Sequence, residues 1–148
     1  MSFINRSIAG LAGSLALTGI HQLFKKYGNT PNLDQVGEVA LEKSLDLVDA
    51  KISDEDNVYA AAMGGNILSN ALLFSTLATT TNTTQIITKT LGAGLLGAAG
   101  TIGLADQILG NNKATETDQK KWMTTGYYLV GAIVSISVYN LLERRTKK

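Results

Sequence analysis

The 148-residue chain has no cysteine. That excludes disulfides, thiolate metal sites and thiol nucleophiles, and it leaves the redox compartment open. There is one histidine, too few for a zinc centre, which usually takes three or four protein ligands. Charge is scarce: Asp, Glu, Lys and Arg make up 17%, against the usual quarter. The net charge of +1 offers no electrostatic footprint for nucleic acid. One proline among 15 glycines does not match a disordered composition. The length suits one domain.

The few charges are clustered. Eight of the twelve acids lie between Asp34 and Asp56, and four of the thirteen bases lie in the last five residues. Four stretches are left without Asp, Glu, Lys or Arg: Ser7–Phe24, Asn57–Thr88, Thr90–Ala105 and Trp122–Leu142. The second is interrupted by TTTNTT at 79–84, too polar for a bilayer centre. A helix of about 20 residues crosses the hydrocarbon core. The runs therefore predict an all-α membrane protein with transmembrane helices over 7–24, 58–79, 88–109 and 122–142. Trp122, Tyr127, Tyr128, Tyr139 and Tyr59 fall near the ends of their runs, where amphipathic rings favour the headgroup region. Buried helices of a soluble domain are the alternative. The first run also has the look of a signal peptide, but the polar HQLFKK that follows favours an uncleaved helix.

Between the first two runs, residues 31–50 predict an amphipathic helix. Thr30 before Pro31 suits a helix start. Leu33, Val36, Ala40, Leu41, Leu47 and Val48 fall on one side; Asp34, Glu38, Glu42, Asp46 and Asp49 fall largely on the other. Such a helix lies on the membrane surface or across the bundle end. Ser53 and Asp56 are spaced as a capping box for the next helix.

LGAGLLGAAGTIGLAD, residues 91–106, raises a second choice. A phosphate-cradling loop needs a strand before it and a helix after it. No Gly-Lys-Ser or Gly-Lys-Thr follows, and Asp106 comes too early for a ribose contact. Gly94, Gly97, Gly100 and Gly103 instead recur every three residues, as on a helix made smooth for close packing in lipid. The first helix has the same pattern in Ala9/Gly13 and Gly10/Ser14, so these two helices are expected to pack tightly. A pore or solute path opened by missing side chains is the alternative.

Asn66 and Asn70 share one face of the second span. They suit interhelical hydrogen bonding, with Asn140, Ser135, Ser137, Thr124 or Thr125 as partners, or a polar solute path. His21 suits the headgroup level, with a haem ligand or proton relay as the sharper reading. Asp106, near the end of the third span, could pair with Lys113. Asp34, Glu38, Glu42 and Asp46 recur every four residues; like charges at that spacing repel. They form a solvated face or a surface for Ca²⁺, Mg²⁺ or a basic partner. No metal centre or cofactor is expected.

The run IAGLAGSLALTGIHQLFKK, followed by TPNLDQVGEVALEK, resembles a group of small bacterial four-helix integral membrane proteins over residues 7–45. The resemblance implies a bacterial inner membrane and no catalytic residues. Even spans put both termini on one side, and RRTKK at the end places them in the cytoplasm. The expected function is structural or accessory, through Gly/Ala faces that pack in a homo-oligomer or larger membrane complex. A small-solute or ion transporter is the alternative, and a lipid-acting membrane enzyme built on His21 and the acidic helix is the third.

Overall fold

A computed structural model describes residues 3–78, 82–109 and 115–146. Five helices follow in order: α1 Phe3–Lys25, α2 Leu33–Asp46, α3 Glu55–Leu77, α4 Thr83–Leu109 and α5 Asp118–Thr146. The described residues contain no strand. α1, α4 and α5 are long and apolar enough to cross a membrane. α3 has 23 residues but is not in that set; Asn66, Ser69 and Asn70 interrupt its apolar run.

The helix ends reflect local chemistry. α3 is capped by Asp54, whose carboxylate accepts from the Asp56 backbone N–H at 3.0 Å. Ser53, the expected cap, lies one residue too early. α4 opens on Asn82, whose side-chain oxygen accepts from the backbone N–H groups of Thr84 and Gln85 at 3.0 and 3.4 Å. The end of the TTTNTT stretch is thus the N-terminal turn of a helix; residues 79–81 lie outside the described ones. α2 stops at Asp46, short of the expected 50. Leu47 and Val48 are exposed, and Asp49 takes a positive φ of 54°.

α1 packs on α3 and α5, α4 packs chiefly on α5, and α2 lodges against α3 and α4. α1 and α4 have no close backbone approach to each other among the described residues. Each packs elsewhere. Gly10 sits so close to α3 that an added Cβ would collide with the Ala71 carbonyl oxygen and the Ser75 backbone. Gly13 of α1 faces Gly131 of α5, where an added Cβ would lie 2.5 Å from the Gly131 oxygen. On α4, Gly94 fits against Leu129 and Gly97 against Tyr128, whereas Gly100 and Gly103 have open space beside them. Only the first two of those four glycines are packing positions in this chain.

The distribution is partly inverted: small and hydroxyl-bearing side chains are buried between the helices beside Phe74 and the tyrosines, and many large aliphatic ones point outward. Ser14 and Ser135 are fully buried, and each donates to a carbonyl across a helix interface, Ser14 to Ile67 at 2.7 Å and Ser135 to Phe74 at 3.2 Å. Phe74, Leu17, Ala98, Tyr127, Tyr128 and Ala132 form the main core. Meanwhile Ile8, Leu11 and Leu15 on α1, Leu68 and Leu72 on α3, and Leu91, Leu95 and Leu96 on α4 point outward. This inversion suits close packing in lipid, where small residues and cross-helix hydrogen bonds hold helices together. In water, apolar patches of this extent signal a covering partner or aggregation.

Candidate functional site

The site begins at the end of α1. Gly28 and Asn29, with φ of 72° and 51°, reverse the chain after Lys25. The reversal brings Pro31 back beside His21, whose Nε2 donates to the Pro31 carbonyl at 3.0 Å. His21 is buried at 3% exposure. Its Nδ1 faces the Asp34 carboxylate at 3.7 Å. Asp34 sits in the first turn of α2, where the helix dipole favours an anion. Lys25 binds one of its oxygens, and Gln22 Nε2 donates to both at 3.2 and 3.4 Å. One carboxylate thus ties α2 to three residues of α1. With Nε2 held by Pro31 and Nδ1 facing Asp34, neither imidazole nitrogen is open for axial ligation of haem.

α2 is pressed into the end of the helix assembly. Val36 is buried with Ala105 and Leu109 of α4. Gly37 lies against Asn66 of α3; a Cβ there would collide with the amide nitrogen. The absence of a side chain at Gly37 lets α2 reach down over α3.

Beneath α2 lies a cavity of about 140 Å³, lined from all five helices. Its α1–α2 wall carries His21, Asp34 and Thr18. Its opposite wall carries Asn66 and Asn70 from α3, Thr101 from α4 and Tyr128 from α5. Thr101 and Tyr128 share a hydrogen bond of 2.6 Å, and the Tyr128 hydroxyl donates to Asn70 Oδ1 at 3.1 Å. This relay joins α4, α5 and α3 at the cavity wall. The Asn66 side-chain amide is half-buried and has no hydrogen-bond partner among the described residues. A space of this size holds several waters or one small solute. It is too small for a lipid headgroup with its chains.

Asn66, Asn70, His21 and Asp34 therefore converge on one cavity. The remaining sequence candidates do not. Asp106 is exposed on the outside of α4; Lys113, its expected partner, lies outside the described residues. Glu42 and Asp46 are exposed beside Lys51 in a separate groove, and Glu38 is half-buried. The four acids of α2 split between two environments, because a helix turns by 400° in four residues and the row drifts across its surface. No group of three or more His, Asp or Glu that could hold a metal ion occurs among the described residues. Of the partners expected for the asparagines, Ser135 bonds to Phe74, and Thr124, Thr125 and Ser137 bond within their own helix, while Asn140 Oδ1 is buried without a hydrogen-bond partner among the described residues.

Tyr128 is the residue whose place differs most from expectation. Its spacing from the start of the last run suited a headgroup belt, but it is buried at 6% and Tyr127 at 4%. The i, i+4 pair Asn66/Asn70 pointed to a polar face opposite; nothing in the sequence said which hydroxyl would meet it. Trp122 and Tyr27 are exposed at helix ends. No protein-family model, curated protein or solved structure matches the chain.

Proposed function

We propose that the chain is an integral membrane protein whose four long helices cross the bilayer, and that it binds and passes a small polar solute through the cavity beneath α2. The observation that carries this reading is the direction of Asn66 and Asn70. Two amides on a bilayer-spanning helix are costly unless they meet polar groups. Here both line the cavity, together with His21 and Asp34, and Asn66 is left with its amide unengaged. A polar side chain used only to hold helices together would be bonded to a neighbour, as Asn70 is to Tyr128.

α3 is the fourth span on this reading. Asn66, Ser69 and Asn70 line the cavity while Leu68 and Leu72 face outward, so its mean hydropathy understates how apolar its lipid face is. Four spans place both termini on one side, and RRTKK favours the cytoplasmic side. On this reading the bilayer is a bacterial inner membrane, as the resemblance of residues 7–45 implies. α2 is then a short cap at the opposite end, amphipathic and tucked inward.

A structural role through helix association is the second reading. The open space beside Gly100 and Gly103 supports it, since a partner helix could approach there.

Proteoliposomes test the solute reading. Uptake of acetamide, methylammonium and formate is followed by stopped-flow light scattering. Uptake of at least one should exceed that of protein-free vesicles and fall in Asn66→Leu. If all three match protein-free vesicles, the cavity is not a solute site.

A further inference from the structure

Resting on that solute reading, we infer that the cavity selects a small neutral molecule that both donates and accepts hydrogen bonds, of the carboxamide or urea class, over a cation or an anion. The reason is which cavity groups are already spoken for. The charges near it satisfy one another. Asp34 is bound by Lys25 and Gln22, with His21 on its other flank. A cationic solute would have to displace Lys25 to gain a counter-ion. An anionic solute would find no Lys or Arg in the lining to pair with. Either would leave a charge poorly paired in a confined space, which is costly.

The groups left over are neutral. Asn66 offers an amide oxygen and an amide N–H₂, neither bonded within the described residues. Asn70 has its oxygen taken by Tyr128, which leaves its N–H₂ to donate. Thr18 lines the same space, and its hydroxyl also has no hydrogen-bond partner among the described residues. The unengaged groups in the lining therefore include both donors and acceptors, and all of them are neutral. A planar carboxamide or urea presents one carbonyl acceptor and N–H donors in a few ångströms, which matches Asn70 donating and Asn66 doing both. Its four non-hydrogen atoms suit a volume of about 140 Å³.

Three probes of similar size and different charge test the inference: acetamide, methylammonium and formate, in proteoliposomes of the full chain. Acetamide should permeate fastest relative to protein-free vesicles. Losing one or two hydrogen bonds in Asn66→Leu should slow it about tenfold. Asn66→Asp keeps the shape and adds a charge, so it serves if the leucine variant does not fold. In Asn66→Asp acetamide should lose its lead and methylammonium should gain. Helix content by circular dichroism identifies folded variants. If methylammonium or formate permeates best through the unaltered protein and depends on Asn66, the neutral class is overturned while the solute site stands. If no probe exceeds protein-free vesicles, both are overturned.

Discussion

Gly13→Ala is the sharpest test of how the helices meet. The new Cβ would lie 2.5 Å from the Gly131 carbonyl oxygen, 2.8 Å from Ser135 Cβ and 3.1 Å from Phe74 Cδ2. Ordinary contacts between such atoms run to about 3.5 Å or more. The deficit is about 1 Å, and two of the three neighbours are backbone or Cβ atoms that no side-chain rotation removes. α1 and α5 must therefore separate, loosening Leu17, Phe74 and Ala132 in the shared core. Overpacking of this kind costs about 1–3 kcal/mol. Replacing a helical glycine returns at most about 1 kcal/mol. Gly19→Ala on the same helix gains the same propensity with nothing within 4 Å to oppose it. Subtracting the two variants removes the propensity and leaves the clash, about 1–3 kcal/mol. Titration with sodium dodecyl sulfate from mild micelles, followed by circular dichroism, measures the difference. Equal midpoints for Gly13→Ala and Gly19→Ala would mean that α1 and α5 do not approach at this point.

Three further variants probe the hydrogen bonds. Tyr128→Phe removes the hydroxyl between Thr101 and Asn70 and should destabilise by about 1–2 kcal/mol; Tyr127→Phe deletes a buried hydroxyl with no partner and should be neutral or stabilising in the same titration. Asp34→Asn breaks the link from α2 to Lys25, which is half exposed, so the loss is about 1 kcal/mol or less. The amides of Leu33–Asp46 should then exchange several-fold faster by mass spectrometry while those of α5 keep their rate, and unchanged exchange in α2 would show that Asp34 does not hold it in place.

The helices were legible wherever charge was absent over a long stretch. Trp122–Leu142 lies within α5, and Ser7–Phe24 within α1, because an uncharged run of that length forms its hydrogen bonds internally whatever its neighbours do. The ends were less legible. Asn82 and Asp54 cap helices in regions rich in other cap-forming residues, and local sequence does not say which of several Thr, Ser, Asn or Asp will be used. For the site, the i, i+4 spacing of Asn66 and Asn70 was enough to put both on one face. It was not enough to find Tyr128, whose position in its run equally suited the membrane interface.

The four glycines of α4 show where local information ends. Their spacing is uniform, yet Gly94 and Gly97 meet α5 or α3 and Gly100 and Gly103 meet nothing. Two helices that cross touch only over part of their length, so the same letter is a contact at one turn and open surface two turns later. By itself the sequence determined that the chain is helical, since composition and hydrogen bonding along one segment decide that; of the four spans expected from it, three are helices long and apolar enough to cross a bilayer. Only the tertiary structure decided that His21, Asp34, Asn66, Asn70 and Tyr128 share one cavity, because their meeting depends on the reversal at Gly28 and on how far α2 descends over Gly37, distances set between helices and not along them.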